Sequence, residues 1–234
     1  MSRSCAPVSL IEAVCTDLRP SPTNLNPHGH PHSSCWSGRI MTVVSPLWIA
    51  EYRKKVSDND EEEDDDDQRK KQLNFWELTE NGGSEWMVED MPGDCGHDFS
   101  DTAVMKYFAT SFELCLKRQV IDLFEEGFTC EQLDAQPVVS VEDWYSGRRD
   151  CGCTYQITVG LLDENHVVMQ EFRPEPVSLD PECDDCSWKE VSHKFSGYGP
   201  GLRFISFEHG GQDTKYWEGW FGVRVTGSSV TLEL

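Results

Sequence analysis

Across residues 73–234, apolar and polar side chains alternate in short runs. Gly, Pro, Asp or Asn breaks these runs every ten or so residues. This is the pattern of a sandwich or barrel, in which each strand buries every second side chain. Strands are predicted over 137–144, 151–162, 166–172, 188–195, 201–208, 219–226 and 229–234. The clearest is 151–162, with Cys151, Cys153, Tyr155, Ile157, Val159 and Leu161 at its odd positions and mainly Gly, Thr and Gln at its even ones. Its odd set is assigned to the buried face. Thr226-Gly227-Ser228 reads as a tight turn joining the last two strands into a hairpin. Over 101–112 the period changes: Val104, Tyr107, Phe108 and Phe112 fall at helical spacing behind Ser100, predicting one short helix with Ser100 as its N-cap. The expected fold is all-β, an antiparallel β-sandwich of the jelly-roll, galactose-binding-like kind.

The pattern fails upstream. Residues 1–40 hold Pro7, Pro20, Pro22, Pro27 and Pro31 with only three leucines, too little apolar surface to offset the chain entropy of ordering them. Ser45-Pro46 suits a helix start, and Leu47, Trp48, Tyr52 and Val56 then share one face of a short helix over 45–56. From 58 to 67 nine of ten residues are Asp or Glu. Charge at that density repels itself and predicts a disordered spacer. A calcium site is the alternative, although no Gly turn or closing Glu sets out a coordination loop. The division is therefore 1–71, largely disordered, and 72–234, one folded domain.

Charge narrows the function. The chain has 42 acidic and 20 basic side chains, a formal charge of −22. The acidic block accounts for only part of this, since residues 72–234 retain 30 acidic against 11 basic side chains. Such a surface works against nucleic acid and anionic membranes, which are bound through clustered Lys and Arg. No apolar run reaches the ~18 residues of a membrane helix, and the 6–15 segment, interrupted by Glu12, is a poor signal-peptide core. A cytoplasmic protein is the expectation. Its ten cysteines then read mainly as reduced thiols, those at 151 and 153 as small core hydrophobes. A four-thiolate zinc site joining Cys151 and Cys153 to Cys183 and Cys186, or one or more disulfides, are the competing readings.

No catalytic signature is present: no Gly-x-Ser-x-Gly, no phosphate loop and no dinucleotide fingerprint. His193, His209 and Asp213 do not by themselves make a triad, and His193, between Val191 and Phe195, is expected to be a hydrogen-bonded core histidine. No cofactor is called for. The distinctive chemistry lies in the C-terminal third. Residues 208–213 read as a Gly-rich loop, and Tyr216, Trp217, Trp220 and Phe221 follow within a few positions. An aromatic cap on the end of the sandwich is one reading. A binding platform is the other, because sugar rings present a C–H face that packs on an indole while nearby polar groups hold the hydroxyls.

Several ordered segments carry a family resemblance. Phe75-Trp76-Glu77, Pro92-Gly93-Asp94, the run from Tyr107 to Glu113, Gln119 to Leu123, Asp143 to Arg148, Tyr198-Gly199-Pro200-Gly201 with Arg203-Phe204, and Phe207 through Trp217 resemble the F-box-associated domain of the sugar-recognising F-box proteins. The resemblance implies an antiparallel β-sandwich that binds the inner chitobiose of high-mannose N-glycans on misfolded glycoproteins. It also implies a linked F-box that recruits Skp1 and cullin for ubiquitination and ER-associated degradation. Carried across by motif, the sugar contacts correspond to Phe112, Tyr216 and Trp217. The family's next contact is a lysine; here that position is Glu218, an acceptor-only carboxylate in place of a donor. Residues 1–71 hold four leucines and no evident F-box pattern, so Skp1 docking is not expected. A domain of this kind without an F-box also resembles the nonspecific cytotoxic cell receptor proteins of fish. That second resemblance implies a receptor-like role on immune cells, binding a protein ligand at the surface by an unconventional route. The partner expected from the first is an N-glycoprotein or a denatured protein.

Overall fold

The computed structural model describes residues 73–234 together with two strands further upstream, β1 (Val14–Cys15) and β2 (Ile40–Val44). The acidic block and the expected 45–56 helix lie outside the described residues. The remaining strands are β3 (Glu77–Asn81), β4 (Met87–Asp90), β5 (Lys106–Ala109), β6 (Cys115–Asp122), β7 (Val138–Ser146), β8 (Cys153–Leu162), β9 (Val168–Phe172), β10 (Val177–Leu179), β11 (Lys189–Phe195), β12 (Phe204–Asp213) and β13 (Arg224–Glu233). Among the described residues one five-residue helix, α1 (Cys130–Asp134), interrupts them, closed by a capping box between Thr129 and Gln132.

All strand pairs among the described residues are antiparallel, and they form two sheets. In the first, β13 is central: β7 and then β11 lie on one side, while β2 and β5 share its other edge end to end, followed by β1 and β4 respectively. In the second, the order is β3-β6-β12-β8, with β9 and β10 sharing the outer edge of β8. The inward residues of both sheets make one core, in which Val139, Val141, Val225 and Leu232 meet Tyr155, Val159, Leu161, Ile205 and Phe207. The expected antiparallel sandwich is the observed one. The alternation read in 151–162 places Cys153, Tyr155, Ile157, Val159 and Leu161 inside, as predicted.

Three local expectations are corrected. The predicted 101–112 helix is not formed; its centre is β5, which is buried on both faces. Phe108 enters the main core, whereas Tyr107 and Ala109 pack beneath Met87, Trp188 and Trp220. Burial on two sides erases the alternation that marks a strand, leaving an apolar spacing that imitates a helix. The predicted hairpin at 226–228 is also absent, because β13 runs continuously from Arg224 to Glu233 with a bulge between Thr226 and Ser229. Gly227 supplies the left-handed residue of that bulge at φ 62°. Finally, 208–213 is strand rather than loop. Its glycines are required by close approach: a Cβ on Gly210 would lie 2.0 Å from the Cys115 carbonyl oxygen, and one on Gly211 1.8 Å from that of Thr154.

The bulge serves a polar pin between the sheets. Ser228 Oγ donates to Asp143 Oδ1 at 2.7 Å, while Tyr155 Oη donates to Asp143 Oδ2 at 2.6 Å. His209 Nδ1 also meets Oδ2, at 2.6 Å, and its Nε2 lies 2.6 Å from Lys117 Nζ. The carboxylate can only accept, so the imidazole proton sits on Nδ1 and Nε2 accepts from the amine. The rings of Trp76 and Phe108 cover that amine at 3.3 and 3.9 Å. Asp143, His209 and Lys117 are fully buried. Burial pushes both Lys117 and His209 below their ordinary ranges, with Asp143 opposing the shift in each case.

Candidate functional site

Four loops meet at one end of the sandwich: 82–86, 110–114, 147–152 and 214–223. Hydrogen bonds fasten the first two to the last. Ser84 N donates to Ser111 Oγ at 2.7 Å, Ser111 Oγ donates to the Gly219 carbonyl at 3.0 Å, and Gly219 N donates to Ser84 Oγ at 3.2 Å. Trp220 Nε1 adds a bond to the Ser84 carbonyl at 3.1 Å. Behind them Thr110 and Val223 extend the ladder, and Gly222 fits because a Cβ there would lie 2.2 Å from Thr110 Oγ1. The 147–152 loop joins through Thr214 N to the Gly152 carbonyl at 2.9 Å and through the Arg148 guanidinium, 4.6 Å above the Phe221 ring.

Asp213, the last residue of β12, shapes the aromatic segment. Its buried carboxylate accepts from the backbone N–H of Lys215 at 2.8 Å, Tyr216 at 2.6 Å and Trp217 at 3.3 Å. These bonds hold Tyr216 at φ 58°, a left-handed conformation unfavourable to an aromatic residue. The turn therefore thrusts two rings outward: Tyr216 is 69% and Trp217 44% exposed. Trp217 rests edge-to-face on Phe221, with centroids 5.4 Å apart. Phe112 stands half-buried on the 110–114 loop, beside Ser111; a Cβ on Gly83 would lie 3.1 Å from its ring. Glu218 is exposed and precedes the fastened Gly219. The loops carrying Phe112 and residues 216–218 are thus joined, and the resulting surface offers ring faces beside carboxylates.

Replacing Asp213 with alanine leaves three amides without their acceptor and is expected to cost about 3 kcal/mol of stability. Urea titration followed by intrinsic fluorescence checks this, and Asp213→Asn should lose less, because an amide oxygen still accepts.

Sequence reasoning does not find Ser84, Ser111 or Asp213 as the anchors of these loops. A signal for Asp213 exists, since an Asp followed by a short polar stretch commonly caps its own downstream amides. The serines meet Gly219 across more than a hundred residues and leave no local signature. Trp220 and Phe221, expected in a strand, lie in the loop before β13. His209 is part of the inter-sheet pin. His193 is corrected from a hydrogen-bonded core residue to a half-buried ring stacked on Phe172, with centroids 4.3 Å apart at the sheet edge. Among the described cysteines all are free, and no group of three metal-ligating side chains occurs among the described residues. Burial raises the Cys151 thiol to about 11 and pushes Cys153 higher still, which holds both as neutral thiols. Among the described residues no helix is long and apolar enough to cross a membrane.

The chain matches the F-box associated region over residues 49–232. It is 55% identical to F-box only protein 2 of Bos taurus over 165 residues, 70% of this chain and 56% of that protein. Identity to F-box only protein 6 of Mus musculus is 48% over 163 residues, covering 69% and 55%. For F-box only protein 44 of Homo sapiens it is 48% over 161 residues, covering 68% and 63%. The chain spans little more than half the length of these relatives. Among solved structures, the CBM22-1 xylan-binding domain of Paenibacillus barcinonensis Xyn10C is loosely similar, with a TM-score of 0.37 at 11% identity over 67% of this chain and 85% of that one. With the family match extending over most of its length, this chain belongs to the F-box associated region family.

Proposed function

We propose that the chain is a non-catalytic recognition module that binds the chitobiose core of N-glycans on glycoproteins, working in the cytoplasm. The observation that carries this reading is the Tyr216–Trp217 pair. A domain whose other described tryptophans are buried or half-buried holds this one outward on a turn anchored by three hydrogen bonds, at the cost of a left-handed tyrosine. Exposed aromatic rings fixed in this way suit the C–H face of a pyranose, and the adjoining loop edges supply polar partners for its hydroxyls. Phe112 extends the apolar surface, while Glu218 faces the ligand as an acceptor. Membership of the F-box associated family supports a glycoprotein-recognising role resembling that of the substrate receptors of SCF-type ligases.

Isothermal titration with chitobiose tests the reading. Binding is expected for the native chain. Trp217→Ala should weaken it by at least tenfold, the equivalent of ~1.4 kcal/mol, with the unfolding midpoint unchanged. A folded native chain that gives no heat with chitobiose would sink the proposal.

A further inference from the structure

A second polar cleft lies on the flank of the β8–β12 sheet, away from the aromatic loops. β9 leaves the edge of β8 at Phe172, opposite Val159, and β10 rejoins it at Val177, opposite Tyr155. Between them runs Arg173-Pro174-Glu175-Pro176. Neither proline has an N–H to donate, so the ladder is interrupted beside residues 156–158 of β8. The bypass arches over a cleft of about 420 Å³. That volume falls in the lower part of the ~300–1,000 Å³ range of small-molecule sites.

The lining combines two carboxylates and one guanidinium with neutral polar and apolar groups. Gln156 and Thr158 project from β8, Glu208 from β12, and Arg173 and Glu175 from the arch, with Leu116 and the two prolines as apolar walls. Ile157 also lines the cleft, but its side chain belongs to the core, so its backbone is what faces the space. Glu208 is already oriented, accepting from Thr79 Oγ1 at 2.8 Å. Among the described residues neither Arg173 nor Glu175 has an ion-pair partner. An anion placed here meets two carboxylates; a cation meets the guanidinium beside them, and no group of three metal-ligating side chains occurs among the described residues. A neutral polyol satisfies both, because every hydroxyl donates to Glu175 or Glu208 and accepts from Arg173, the Gln156 amide or Thr158. Proline rings and Leu116 suit the C–H faces of such a ligand. Glu208 and Asp213 stand five residues apart on one strand, a separation of ~17 Å. A branched oligosaccharide held by its core at the loops has the reach to place an outer ring in the cleft.

We infer that this cleft is a second saccharide subsite, taking a neutral hexose of the outer, mannose-bearing branches of the glycan; the identity of the sugar rests on the N-glycan reading of the loop site. The two are tested separately by amide NMR of the full chain titrated with branched mannotriose and, independently, with chitobiose. Mannotriose at ~10 mM, above the millimolar Kd that a few hydrogen bonds provide, should shift the signals of Gln156, Thr158, Glu175 and Glu208. Those shifts should persist in Trp217→Ala and weaken about tenfold in Arg173→Ala and in Glu208→Gln, the latter retaining an acceptor for Thr79. Chitobiose should shift residues 214–220 instead. Silence of the cleft signals with mannotriose overturns the subsite, as do shifts confined to the loops or shifts indifferent to both cleft variants. Cleft shifts with mannotriose, alongside a loop that ignores chitobiose, would uphold the subsite and overturn the loop reading.

Discussion

Replacing Asp143 with alanine is expected to remove a large part of the stability of the domain. The carboxylate receives Tyr155 Oη, His209 Nδ1 and Ser228 Oγ, all in a site closed to water. Truncation leaves three buried donors unpaired and withdraws the charge that supports Lys117 and His209. Breaking a buried ionic cluster on one side typically costs ~3–5 kcal/mol, against a total of ~5–15 kcal/mol for a domain. Urea unfolding monitored by tryptophan fluorescence should show a large fall in midpoint, while an unchanged midpoint would mean that the pin contributes nothing to stability. The cost arises from stranding partners, not from any large net gain in burying them. Combining Asp143→Leu with His209→Leu and Lys117→Met should therefore recover part of the loss.

The same cluster sets an acid limit. His209 and Lys117 both have lower proton affinity in the folded chain than in the unfolded one. The unfolded chain therefore binds more protons wherever their folded and unfolded titrations are separated, and stability rises with pH there. For His209 the corresponding loss begins as pH falls through its unfolded value of about 6.5 and continues down to its lower folded value. A domain more easily unfolded by urea at pH 5.5 than at pH 7.5, with the difference reduced in a His209→Gln variant, is the expected result.

Legibility in the sequence follows burial geometry. β8 is plain because one face is core and the other is not, so Cys153 through Leu161 alternate visibly. β5 is hidden because Tyr107 and Phe108 are buried on opposite faces. The 227–228 bulge reads as a turn because Gly-Ser serves either purpose, and only the position of Asp143 on the neighbouring strand decides between them. At the site, the exposed rings of Tyr216 and Trp217 are apparent as an excess over what a strand needs to bury. What holds them is not: Ser84, Ser111 and Gly219 are separated by up to 135 residues and meet only after the sheets assemble. The arch at 173–176 is likewise unreadable as a cleft, since its two prolines become meaningful only when β9 and β10 are seen to share one edge.

The prediction that bears most directly on the ligand is Glu218→Lys. Glu218 stands exposed in the aromatic turn between Trp217 and the anchored Gly219, so a substitution here changes chemistry without disturbing the buried anchors. As glutamate it can only accept from a sugar hydroxyl; it cannot donate to a ring oxygen or an acetamide carbonyl. It also adds negative charge to a domain that already has 30 acidic side chains between residues 72 and 234. A lysine supplies three donors on a stem long enough to reach across the face of Trp217. A hydrogen bond to a charged group contributes ~1.5–3 kcal/mol, so chitobiose affinity should rise by about tenfold or more, at ~1.4 kcal/mol per decade. Because the bond is short-ranged and the sugar is neutral, the gain should survive a rise in salt from ~0.05 to ~0.5 M, over which long-range attraction between exposed charges is screened. Glu218→Gln separates the contributions: it removes the charge, restores a donor and should fall between the two. If titration gives equal affinities for the native chain, Glu218→Gln and Glu218→Lys while Trp217→Ala still abolishes binding, the sugar sits on the rings without engaging the side chain after Trp217, and the specificity of the site must come from the Phe112 side.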